Sequence, residues 1–154
     1  MSETSRRILG ALAGVLLAGQ ATDEARADGA KASLTVGIVG FRNTTGQALV
    51  ALFDAKESWP KLDRALRLEK VKLTGSKLDL TLRDLPPGTY AVSVVHDENE
   101  NGKLDMRWLP YPKPKEGVGA SNDAAATIGP PAWADARFRL GDKGGAITIH
   151  MRYY

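Results

Sequence analysis

Cysteine is absent from this 154-residue chain. No disulfide, thiolate metal site or lipidated cysteine is therefore available, and the fold has to be held by its core, helped at most by a metal bound through oxygen or nitrogen. Aromatic residues are sparse at 6%. The 21 Lys and Arg are scattered among 18 Asp and Glu instead of forming a basic block. Without basic residues interleaved with aromatics, no nucleic-acid surface is expected. Histidine occurs twice, at His96 and His150. His150 belongs to the polar face of a distant strand, which argues against a zinc site. Long apolar runs are missing too. The most apolar stretch, Ile8 to Ala18, falls well short of the roughly 20 residues that span a bilayer.

That short run makes sense as part of a secretory signal. Arg6-Arg7 supply the positive start, and Ala25-Arg26-Ala27 is an Ala-x-Ala cleavage site. Ser5-Arg6-Arg7 with Leu9 also partly resembles a twin-arginine signal. The expected organisation is a signal peptide over residues 1–27 and one domain over 28–154. The mature protein is expected to be periplasmic or secreted, with no membrane span after cleavage. The remaining length suits one domain with a real core.

Period-two alternation dominates that domain. Leu34, Val36 and Ile38 share a face; so do Leu78, Leu80 and Leu82, with Asp79, Thr81 and Arg83 opposite. Phe138 and Leu140 alternate with arginines, and Ile147, Ile149 and Met151 alternate with Thr148, His150 and Arg152. Such runs are half-buried antiparallel strands. Leu49 to Phe53 is apolar on both faces and predicts a central strand; Leu68 to Thr74 is a further strand. Gly and Pro punctuate the runs. One short helix is expected from about Ser58 to Leu66, with Ser58 as cap and Pro60 in its first turn. From Arg107 to Pro131, Pro110, Pro112, Pro114, Gly117 and Gly119 predict a long Pro/Gly-rich loop. The fold class is therefore all-β, an antiparallel β-sandwich of transthyretin-like or immunoglobulin-like type.

The most specific signal lies in His96-Asp97-Glu98-Asn99-Glu100-Asn101-Gly102-Lys103-Leu104-Asp105. Asp97, Asn99 and Asn101 alternate, Gly102 permits a sharp turn, Lys103 offers a backbone carbonyl, and Asp105 follows. Ca²⁺ is a hard cation that takes six to eight oxygens, and an EF-hand loop supplies them in this order with Gly sixth. Where that loop would place its bidentate Glu, this chain has Trp108. Any further carboxylate must come from elsewhere, and Glu116 is the candidate, because Gly117 and Gly119 let its segment fold back. The expected metal set is Asp97, Asn99, Asn101, Lys103, Asp105 and Glu116, with Ca²⁺ as the ion. The competing reading is a plain hairpin, since Asn101-Gly102 is a type I′ turn signal. A hairpin leaves the other three alternating oxygens unexplained.

A longer ordered set of motifs surrounds this segment. Leu85-Pro86-Pro87-Gly88-Thr89-Tyr90-Ala91-Val92 leads into it. Pro114-Lys115-Glu116-Gly117, Gly119, Ser121-Asn122, Gly129-Pro130-Pro131 and Tyr153 follow. Together these resemble the bacterial family known as domain of unknown function 2141, and the likeness covers most of the mature chain. The resemblance implies an exported β-sandwich with no established activity. Val118 and Ala120 stand where the resemblance implies aromatic residues, and Pro110 to Pro114 is richer in proline than the pattern. The Pro-x-Gly-x-Tyr lead-in also resembles transthyretin-like and carboxypeptidase-regulatory sandwiches, which is a likeness of fold alone.

His96 keeps the parity of Tyr90, Val92 and Val94, so it points inward as a structural residue; a hydrolase would need it to meet Ser121, with Asp97 or Glu116 behind. No catalytic set and no organic cofactor site is expected. Trp59 has helix-to-sheet spacing, whereas Trp108 and Trp133 flank the long loop and could line a glycan or peptide groove. The functional expectation is a non-catalytic, calcium-holding module with a binding or structural role toward an envelope or extracellular partner. The alternatives are a glycan- or peptide-binding envelope module and a small hydrolase using His96 and Ser121.

Overall fold

The computed structural model describes residues 29–154. The signal-peptide segment, residues 1–27, lies outside the described residues. Ten strands follow in chain order: β1 Ala32–Val39, β2 Gln47–Phe53, β3 Arg67–Lys72, β4 Lys77–Leu85, β5 Gly88–Asp97, β6 Met106–Arg107, β7 Lys113–Pro114, β8 Gly117–Ala120, β9 Phe138–Leu140 and β10 Gly145–His150. One short helix, α1, spans Trp133–Ala136. Among the described residues, no helix is long and apolar enough to cross a membrane.

The alternating runs become strands because each buries one face. β10, β1 and β4 form a three-stranded sheet; β3, β2, β5 and β8 form the second, with β9 pairing the start of β5. Leu34, Val36 and Ile38 on β1 and Ile149 on β10 pack against Val50 and Leu52 on β2 and Val92 and Val94 on β5. Leu78, Leu80, Phe138 and Ile147 close the margins of this shared core. The result is the expected sandwich. One pairing is parallel, β1 with β10, because the chain crosses over between the sheets before its last strand returns beside its first.

The second sheet is covered on its other face as well. Ala51, Phe53, Ala91 and Ala120 pack there with Trp59 and Ala136. This explains why β2 is apolar on both sides, as its unbroken run Leu49 to Phe53 predicted.

Two local expectations are corrected. Ser58 to Leu66 is not one helix: a 3-10 turn occupies Leu62–Arg64, and Ser58 bonds back to the Ala55 carbonyl at 2.9 Å without capping a helix. So short a segment gains little from helix propagation and is held by docking Trp59 and Leu62 on the sheet. The stretch from Arg107 to Pro131 is also not one long loop. It contains the β6–β7 ribbon and the edge strand β8, where Ser93 to His96 pair with Ala120 to Gly117. Gly117 and Gly119 are thus strand residues, placed against Tyr153 and Ile149, respectively.

Candidate functional site

β5 ends at Asp97, and the segment beyond it curls at once. The Asp97 carboxylate is fully buried and organises the curl. Its Oδ1 accepts the Asn101 N–H at 3.0 Å, and its Oδ2 accepts the Gly102 N–H at 2.8 Å. Gln47, directly across on β2, donates its side-chain amide to the same Oδ2 at 2.8 Å. Further along, Asn99 Oδ1 accepts the Asn101 N–H at 3.3 Å and Asn101 Oδ1 accepts the Lys103 N–H at 2.9 Å. These are Asx turns, in which a short side chain replaces a backbone acceptor two residues on. Gly102 takes φ of 74°, which a residue without Cβ adopts freely.

The consequence is convergence. Asn99 and Asn101 both aim their amide groups at Asp105 Oδ2, at 2.8 and 3.0 Å. Lys103 takes part through its backbone. No two-residue hairpin forms at Asn101-Gly102, because β5 has already ended and the next strand, β6, pairs with β7. Glu116, just before β8, joins from the far side: its Oε2 accepts the Asp105 N–H at 3.1 Å. All six sequence-predicted residues therefore lie in one loop assembly. Among the described residues, however, no three His, Asp or Glu side chains are grouped so as to hold a metal by themselves.

The electrostatics of the assembly are uneven. The amides of Asn99 and Asn101 hold Asp105 below the usual carboxylate range, aided by Lys115 and Lys103. Glu116 goes the other way. Burial pushes it up, and the nearby charges of Asp105 and Asp97 add to that, against the opposing hydrogen bond from the Asp105 N–H. One buried acid next to two others is a site of accumulated negative charge.

Several anchors of this loop are not legible in the residue spacing. Glu98 points away from the Asn–Asp cluster and takes both Arg42 nitrogens, Nε and Nη2, at 2.7 Å each, plus the Asn43 amide at 3.1 Å. The Arg42 guanidinium also lies 4.7 Å from the centroid of the Tyr153 ring. Lys72 pairs with Glu100. Asn99 and Asn101 turn toward Asp105, whereas Glu98 and Glu100 turn to partners that lie far away in sequence.

His96 points into the core as its parity predicted and is fully buried. Its Nε2 donates to the Thr45 carbonyl at 2.8 Å, since a carbonyl can only accept. In the neutral ring its Nδ1 then accepts from the Tyr153 hydroxyl at 2.8 Å, and that hydroxyl in turn accepts the Arg42 backbone N–H at 3.1 Å. Ser121 is occupied elsewhere: its hydroxyl donates to the Ala136 carbonyl at 2.6 Å and accepts the Val92 N–H at 2.9 Å. His96 and Ser121 thus form no nucleophile–base pair. His96 ties the end of β5 to the Thr45 loop and the C-terminal segment, and Ser121 ties the middle of β5 to α1.

The tryptophans form no platform. Trp59 is buried edge-on to Phe53 and donates its indole N–H to the Pro131 carbonyl at 2.8 Å. Trp133 meets Trp59 at 6.1 Å between centroids and 64° between planes. Trp108 is 67% exposed, apart from that pair.

The model of a protein family described as "Uncharacterized protein conserved in bacteria (DUF2141)" matches residues 36–148. No curated protein matches the chain. No solved structure matches it either.

Proposed function

The chain belongs to the bacterial family of domain of unknown function 2141, and we propose that it is an exported, non-catalytic module of the cell envelope. In this reading the Asp97-to-Asp105 loop holds a calcium ion, and the module has a binding or structural role. The observation that carries the reading is the convergence of Asn99 and Asn101 on Asp105, with Asp97 beneath and Glu116 behind. Asp97 Oδ1 accepts one donor and Oδ2 accepts two, so Oδ1 keeps a lone pair for a cation. The two asparagine oxygens, the Lys103 carbonyl, Asp105 and Glu116 complete an all-oxygen set suited to Ca²⁺. The ion would displace the two amide N–H groups from Asp105 and neutralise the charge gathered there. Export rests on the N-terminal pattern alone.

Calcium is tested by melting the chelator-treated protein with added Ca²⁺ or Mg²⁺. For an open site with a dissociation constant of about 10⁻⁴ M, roughly 10 mM Ca²⁺ is a hundredfold excess and stabilises by about 2.7 kcal/mol. Mg²⁺, which demands near-octahedral geometry, should do much less. Asp105→Asn should weaken the Ca²⁺ response; Glu98→Gln should weaken the fold through lost Arg42 contacts yet leave the Ca²⁺ increment intact. A wild type that takes up no Ca²⁺ at millimolar concentration by calorimetry would leave the loop a purely hydrogen-bonded turn.

A further inference from the structure

The outer face of the second sheet, away from the shared core, carries a cavity of about 280 Å³. Its floor follows from the register. Ser93 and Ala120, which line it, face each other across β5 and β8. Two neighbouring side chains of only one or two heavy atoms leave a hollow in the sheet surface. The next pair along, Val95 and Val118, is bulkier and continues the apolar lining. Trp59 and Leu62 wall one side, and Leu104, Met106 and Pro131 come over from the loops.

Ser93 distinguishes this hollow from an ordinary packing gap. It is only 9% exposed. Its hydroxyl is the one buried side-chain polar atom without a hydrogen-bond partner among the described residues. A buried hydroxyl left unpaired costs stability, and native proteins leave few of them. Here it lines an otherwise largely apolar cavity. The charged groups at the mouth, by contrast, are already engaged. The Asp123 carboxylate takes His150 Nδ1 at 2.7 Å, Arg152 donates to the Asp123 carbonyl at 2.9 Å, and the Lys113 ammonium sits 4.9 Å from the Tyr111 ring centroid. The buried part of the site therefore asks for one side-chain hydrogen bond, at Ser93 Oγ, and no charge.

The volume sets the scale of the occupant. An apolar cavity of about 150 Å³ accommodates benzene, so about 280 Å³ has room for two fused rings. We propose that this cavity binds a compact, uncharged apolar molecule of about that size, whose single hydroxyl or carbonyl meets Ser93 Oγ. The proposal does not rest on calcium: the floor and the hydroxyl belong to β5 and β8.

The test uses the full chain, with 2-naphthol and naphthalene as probes, followed by quenching of tryptophan fluorescence, since Trp59 borders the cavity. Wild type should bind 2-naphthol saturably and about three- to tenfold more tightly than naphthalene, the range expected of one neutral hydrogen bond. Ser93→Ala should make the two probes equal while leaving naphthalene binding within about twofold of wild type. Ala120→Leu, which fills the floor, should abolish both while circular dichroism shows the strands retained. If the folded wild type binds neither probe, or prefers 2-naphthol no more than naphthalene, the proposal is overturned. A preference for 2-naphthol that survives Ser93→Ala overturns it equally.

Discussion

Tyr153 and Gly117 form a contact whose energetics can be worked through. The Tyr153 ring lies over the backbone of Gly117 on β8, so a Cβ added there would stand 2.5 Å from Tyr153 Cζ and 2.8 Å from its hydroxyl. Both distances are far inside van der Waals contact. Gly117→Ala must therefore move the ring or the strand. Overpacking of this kind costs about 1–3 kcal/mol. Moving the ring also breaks the 2.8 Å bond to His96 Nδ1. That leaves a fully buried acceptor unpaired, at a further cost of about 1–3 kcal/mol. The expected loss is about 2–6 kcal/mol, and the melting temperature should fall by on the order of 10 °C in a domain of this size. Urea unfolding followed by tryptophan fluorescence reads the change directly. Gly75→Ala is the control, since nothing lies within 4 Å of an added Cβ there. A double-mutant cycle identifies the cause: with Tyr153→Ala already in place, Gly117→Ala should cost little. An undiminished cost in that background, or no cost in wild type, would refute the packing argument.

Two further outcomes follow from charge and from the N-terminus. Burial, with Asp105 and Asp97 nearby, raises the Glu116 carboxyl in the folded protein above its unfolded value. The folded state then holds that proton more tightly than the unfolded chain, so stability declines as pH rises through the interval between the two values and stays lower above it. In chelator, Glu116→Gln should therefore melt higher than wild type at pH 7 and show no such gain near pH 4, while its Ca²⁺ increment shrinks. Scanning fluorimetry across pH with and without Ca²⁺ checks both signs, and a lower melting temperature for Glu116→Gln at pH 7 would contradict the charge argument. For export, mass spectrometry of the protein from its native host should find Asp28 as the first residue; full-length protein in the cytoplasm would defeat that expectation.

How far the residues speak for themselves depends on the range of the interaction. Leu34, Val36 and Ile38 announce a strand and its buried face, because side-chain direction alternates along any extended backbone. By the same parity His96 points inward, Asp97, Asn99 and Asn101 share a side, and Glu98 faces away. The Asx turns at Asn99 and Asn101 follow from short polar side chains two residues from their partners. What remained hidden is everything set by partner choice. The parallel return of β10 beside β1, the Gln47 amide on Asp97, the Arg42 fork on Glu98 and the Tyr153 hydroxyl on His96 join residues that local spacing does not relate. Gly117 and Gly119 suggested a flexible loop, yet each lies in a strand pressed against the C-terminal segment. The same holds for the cavity. Ser93 and Ala120 are ordinary small residues until strand register sets them side by side. Periodicity is a property of the chain alone, whereas register and contact depend on which distant segments close against one another, and only the packed fold decides that.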